Sequence, residues 1–84
     1  MKEEHNLKTR SEYFKEVYEG NKNFELRKND RNYKVWDILN LHDYCPIKKE
    51  YSGFSVKKEI AYILQGGSFG LEEGYVILSL KPTR

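Results

Sequence analysis

Only one stretch of this chain, about residues 10–19, carries helical periodicity; nearly everything after it alternates with strand period or breaks into turns. Tyr13, Phe14, Val17 and Tyr18 recur at helical spacing and form one apolar stripe, with Glu12, Lys15, Glu16 and Glu19 on the other side. Thr9, followed three residues later by Glu12, fits a capping box and predicts Thr9 as the helix N-cap. Gly20 directly after the stripe is placed as the left-handed residue that stops the helix. With one helix near its start, the chain cannot repeat a β-α-β unit, which argues against a doubly wound sheet.

The other segments read as strands. Residues 5–8 form a short one ahead of the helix, and at residues 24–27 Phe24 and Leu26 alternate with Glu25 and Arg27. Residues 28–32 are a polar turn, residues 37–44 a strand broken by Cys45-Pro46, and residues 48–53 a hairpin loop. Phe54, Val56, Ile60, Tyr62 and Leu64 share one parity, with Lys58 the exception, so residues 54–64 read as one long strand. A glycine loop at residues 66–70, a helical turn at 71–74 and a last strand over 75–80, ending before Pro82, complete the chain. The expectation is an α+β, mainly β domain spanning residues 1–84: a small barrel of five to six strands with one main helix after the first strand. Closure is the economical solution because it removes unpaired edges.

Composition narrows the function classes. A domain of 84 residues buries only somewhat more than ~60% of its unfolded surface, and its aromatic content of 14% offsets a hydrophobic fraction of 38%. The single cysteine, Cys45, excludes an internal disulfide and a Cys-rich zinc site. His5 and His42 lie far apart with no matching Cys or acidic spacing, so no metal is expected. No cofactor fingerprint is present. Neither a signal-peptide core nor an apolar run of ~20 residues occurs, which predicts a soluble, cytoplasmic protein without a membrane partner. A net charge of +2 is too small to attract anions in bulk, so any anion site must come from local clustering.

The densest cluster is Gly20-x-Lys22-x-x-Glu25-x-Arg27, at the handover from helix to strand. On a strand Glu25 and Arg27 project from one face, opposite Phe24 and Leu26. A lysine and an arginine sharing a carboxylate make a cationic site suited to a phosphate or a polar base edge. From the residues alone, a solvated strand face with an ion pair of little energetic value explains the cluster at least as well. In the glycine loop, Gly66 and Gly67 permit close backbone approach and free N–H groups for an anion, or simply a tight connection. Phe69 there reads as a core plug or a base-stacking platform. Tyr33, Trp36, Tyr44 and Tyr51 stack bases or, more simply, close the ends of a barrel.

The Gly20 to Arg27 signature resembles that of ASCH domains, a branch of the PUA-like β-barrels. Further segments agree in order: His5-x-Leu7, Tyr13-Phe14-x-x-Val17, Arg27-Lys-Asn-Asp-Arg31, Val35-x-Asp37-Ile38-Leu39, and the run from Tyr62 to Leu71. This fuller pattern is similar to a small, functionally uncharacterised ASCH-like family of bacteria and phages. The resemblance implies a PUA-like barrel with a cleft between helix and barrel that binds RNA, a nucleotide or a modified nucleoside. Lys22 and Arg27 would be its cationic contacts, and Glu25 the carboxylate that orients them or reads a base. Gly66, Gly67 and Phe69 would lie near the mouth, with Trp36 or Phe69 as a stacking ring. A related branch consists of amidohydrolases acting on acetylated cytidine, with a threonine nucleophile at the position of Glu25. That alternative would here depend on Lys22 and a downstream acid, Glu72 or Glu73, without the hydroxyl.

Overall fold

A computed structural model describes residues 2–83. The elements are β1 (Glu4–Arg10), α1 (Ser11–Tyr18), β2 (Phe24–Lys28), β3 (Ile38–Cys45), β4 (Glu50–Gln65) and β5 (Tyr75–Pro82). They form one five-stranded sheet in the order β1-β3-β4-β5-β2, curled into a half-barrel with β1 and β2 as its edges. The α+β, mainly β architecture with a helix after the first strand is as the sequence predicts. One pairing departs from an all-antiparallel sheet: β1 runs parallel to β3, through a crossover made of α1 and β2.

Two irregularities in β4 bend the sheet. Its first part pairs with β3 and its second with β5. Near Gly53 the register slips between His42 and Tyr44, and the glycine takes φ +94°, a conformation costly for other residues. Ala61 is an extra residue between Ile60 and Tyr62, which pair with the adjacent Leu80 and Ser79. That bulge corrects the single-parity reading of β4. Ile60 is buried, but beyond Ala61 it is Ile63 that packs on the core, and Tyr62 turns outward.

The core comprises Leu7, Val17, Tyr33, Leu39, Leu41, Ile60, Val76, Leu78 and Leu80. The helix contributes less than its apolar stripe implies: Phe14 and Val17 are buried, whereas Tyr13 and Tyr18 are exposed. Gly20 stops the helix as expected, at φ +84°, its N–H donating to the Val17 carbonyl at 3.1 Å. The capping box does not form. Thr9 stays in β1, in register with Asp43, and Arg10 occupies the cap position without a side-chain cap bond. The β1–β3 ladder continues to Arg10 and Tyr44 and so claims the backbone that a Thr9 cap would need. Three boundaries also differ. The expected loop at 48–53 shrinks to a turn at residues 46–49, residues 71–74 hold a turn and no helix, and β5 continues into Pro82.

The start of β1 is tied down by Asp37, which is 2% exposed. Its Oδ1 accepts the Glu3 N–H at 3.0 Å, and its Oδ2 accepts from His5 Nε2 at 2.9 Å and the Lys34 N–H at 3.1 Å. Burial, the largest influence on this carboxyl, pushes its pKa up, but these hydrogen bonds together hold it below the ordinary 3.8. A depressed folded-state pKa contributes stability above the unfolded value that is lost as pH falls through the folded one. Urea denaturation should therefore show stability falling below about pH 4. Asp37→Asn should flatten part of that acid limb and cost about 1–3 kcal/mol at neutral pH.

Strand β2 is phased opposite to its apolar pattern. Phe24 and Leu26 are 47% and 54% exposed, and Glu25 is 4% exposed. The cause lies in β5: Glu25 sits opposite Leu78 and Arg27 opposite Val76, both inward and fully buried. Directly opposed residues share a face, so register with β5 turns the charged side of β2 inward. Leu78→Ala should cost about 2–5 kcal/mol, while Leu26→Ala stays within about 0.5 kcal/mol, measured by urea denaturation.

Candidate functional site

Because β1 and β2 are not paired with each other, a seam separates them. A cleft of about 470 Å³ opens there, lined by Lys8, Thr9 and Arg10 of β1, Tyr13 of α1, and Lys22 through Arg27 apart from Asn23. This volume falls within the ~300–1,000 Å³ typical of small-molecule sites.

Glu25 is the hub of the cleft. Lys22 Nζ donates to Glu25 Oε1 at 2.9 Å, and Arg27 Nε donates to Oε2 at 3.0 Å. Lys22 is further held by the Phe24 carbonyl at 2.8 Å. Arg27 Nη2 reaches across the seam to the Lys8 carbonyl at 3.0 Å, joining the two sheet edges through a side chain. Arg27 also reaches the neighbourhood of Tyr33. Burial pushes the Tyr33 phenol up, and the Arg27 and Arg31 guanidiniums oppose that shift. Charged groups that share one carboxylate are oriented before any ligand arrives, so little side-chain entropy is lost on binding.

The walls are aromatic. Lys22 Nζ lies 4.8 Å from the Phe24 ring centroid and 5.7 Å from that of Tyr13, and the Arg10 guanidinium lies 5.9 Å from Tyr13. Thr9 is 3% exposed, and its hydroxyl has no hydrogen-bond partner among the described residues. Lys22 and Arg27 thus share one carboxylate beside two rings and a buried hydroxyl, while Arg10, also in the lining, pairs with Glu12 at 3.2 Å and Lys8 Nζ lies over the Tyr44 ring.

The structure brings Lys22, Glu25 and Arg27 together but sets the other sequence candidates apart. Gly66, Gly67 and Phe69 belong to the β4–β5 connection, which meets β2 at its Lys28 end, where Asn29 N–H donates to the Gly74 carbonyl. Lys22 lies beyond the opposite end. The loop N–H groups are also engaged: Gly66 donates to Tyr75 O at 2.8 Å and Gly67 to Leu71 O at 2.7 Å. A Cβ on Gly66 would overlap the Glu72 carbonyl and lie 2.7 Å from that of Tyr75, so this glycine serves close packing. Phe69 is 95% exposed and plugs no core. Trp36 takes φ +85°, donates its N–H to Ile60 O, and lies under Lys81 Nζ at 4.9 Å. It is not part of the cleft.

Sequence reasoning missed Lys8, Thr9, Arg10, Tyr13, Phe24 and Leu26 as cleft residues. For Thr9 a signal existed: His5, Leu7 and Thr9 alternate at strand period and are all buried. It also missed that Glu3, His5 and Asp37 come together, with candidate metal-ligand atoms within 4.8 Å of one another. There the His5 nitrogen and both Asp37 oxygens are consumed by the hydrogen bonds that fasten β1, so the cluster reads as a structural clamp.

A half-open β-barrel with a preorganised cationic cleft at its seam defines the class to which this chain belongs. Comparison with known proteins then places it: a domain family of unknown function, DUF3850, matches residues 4–80, and the chain belongs to that family. It is also 35% identical over 74 residues to an uncharacterised 12.9 kDa protein in the GpA 3′ region of Escherichia phage P2. The match covers 88% of this chain and 64% of that protein. No helix among the described residues is long and apolar enough to cross a membrane.

Glu25→Ala should leave Lys22 and Arg27 facing each other without their shared anion. The expected destabilisation is about 2–3 kcal/mol, less than for a wholly buried pair because both cations keep some exposure. Glu25→Gln, which preserves shape and one acceptor, should cost less; urea denaturation of both variants checks the order.

Proposed function

We propose that the seam cleft binds RNA or a nucleotide, with Lys22 and Arg27 as the anion contacts and Glu25 as the group that holds them in place. The observation that carries this reading is the sharing of one buried carboxylate by two cations at the mouth of an aromatic-walled cleft. Phosphate oxygens match the remaining N–H donors of Lys22 and Arg27, and Tyr13 and Phe24 offer faces to a base. The resemblance of the Gly20 to Arg27 signature to ASCH domains, themselves proposed RNA-binding modules in the PUA-like superfamily, supports the same reading.

Amide hydrolysis is less well supported. Glu25 replaces the threonine of the related amidohydrolases, and both its oxygens are engaged by cations, which leaves it ill suited to act as a base. Glu72 and Glu73 lie on the loop at the far end of β2. Incubation with acetylated cytidine at high protein concentration should release no cytidine.

Binding is tested with labelled single-stranded RNA over a series of salt concentrations. Affinity should fall as salt rises, and Lys22→Ala should weaken binding about tenfold while reducing the log–log salt slope by about 0.7. Arg27→Ala should weaken binding in the same direction. Affinity indifferent to salt and to both substitutions would sink the proposal.

A further inference from the structure

Strand β1 serves a second surface with its outward side. Asn6, Lys8 and Arg10 lie beside Asn40, His42 and Tyr44 of β3, and Tyr44 in turn lies beside Tyr51 of β4. Asn6, Leu7, Lys8, His42 and Tyr51 line a shallow depression of about 330 Å³. Tyr51 is 56% exposed, and its ring is braced edge-on by Tyr44 at 5.0 Å and His42 at 6.3 Å. Lys8 Nζ stands 4.2 Å from the Tyr44 centroid.

The polar groups are arranged with equal economy. Asn6 Oδ1 accepts from Asn40 Nδ2 and from His42 Nε2, each at 3.0 Å. With that oxygen as acceptor, a neutral His42 carries its proton on Nε2 and presents Nδ1 as an acceptor, while Asn6 retains its amide donors. No acidic side chain lines the depression. A braced aromatic face, a donor and an acceptor, and one ammonium are together what an unpaired nucleobase and its phosphate require.

Lys8 lines both this depression and the seam cleft. Only β1 separates them, and neighbouring strands are ~4.8 Å apart. We infer that the depression is a second subsite, which takes the adjacent unpaired nucleotide of a single-stranded RNA whose first nucleotide occupies the cleft. Tyr51 stacks the base, Asn6 and His42 meet its edge, and Lys8 neutralises the intervening phosphate. The inference rests on the cleft being a nucleotide site, and it adds that the ligand is single-stranded, because paired bases cannot leave their stack to lie on Tyr51.

Fluorescence anisotropy with a labelled single-stranded RNA of about eight nucleotides, a length within the range such sites occupy, tests it. Tyr51→Ala should weaken binding about tenfold, while Tyr51→Phe stays within about twofold of the parent. His42→Ala, which removes the acceptor, should weaken binding in the same direction, and an RNA duplex should compete poorly. If Tyr51→Ala and His42→Ala bind like the parent while Lys22→Ala loses affinity, the second subsite is overturned and the cleft stands. Equal binding of duplex and single strand also overturns it. If the parent binds no RNA at all, this inference is overturned, and the cleft keeps only the free-nucleotide half of its reading.

Discussion

A buried carboxylate with two cationic partners governs the open side of this half-barrel. Glu25 lies against the core beside Leu78, where an unpaired charge would be strongly unfavourable. Lys22 and Arg27 neutralise it, and in doing so they are drawn to the seam. Arg27 then spans to the Lys8 carbonyl, so the same network that satisfies a buried charge also couples the two sheet edges. Remove the carboxylate and both the cleft geometry and this cross-seam contact lose their anchor.

Edge strand β1 depends on side-chain hubs because, among the described residues, only β3 pairs with it as a strand. Near its start Asp37 gathers the Glu3 N–H and the His5 ring; towards its end the Glu25–Arg27 pair reaches Lys8. The two hubs use the same physics, a desolvated carboxylate whose lone pairs are filled by donors, and they meet different needs. Asp37 is enclosed and closes off its surroundings. Glu25 leaves its cations partly exposed, at 19% and 26%, with donors to spare. That residual exposure makes the second hub, and not the first, a candidate for binding.

Much of the architecture was legible in the chain itself. The one helix, its glycine stop, the order of strands and the absence of β-α-β repetition all follow from local periodicity and turn chemistry. The trio Lys22, Glu25 and Arg27 was also visible, as was the shared face of Glu25 and Arg27. What misled were places where tertiary register overrode a local signal. Thr9 has the spacing of a cap, yet the ladder to β3 keeps it extended. Tyr62 shares parity with Ile60, yet the extra Ala61 turns it out. The glycine loop has the look of an anion cradle, yet its N–H groups close its own turn.

Local sequence therefore determined the elements and which residues share a face, because both depend on backbone period and on the nearest few side chains. It did not determine which face of β2 looks inward. Five residues alternating between apolar and charged satisfy either orientation, and their own pattern favours the apolar side. Pairing with β5 decided otherwise, since Val76 and Leu78 must face the core and a directly opposed residue shares its partner's side. Only in the assembled sheet does the charge cluster become a buried, oriented hub facing a cleft, because its neighbours across the seam come from β1, on the other side of the helix in the chain.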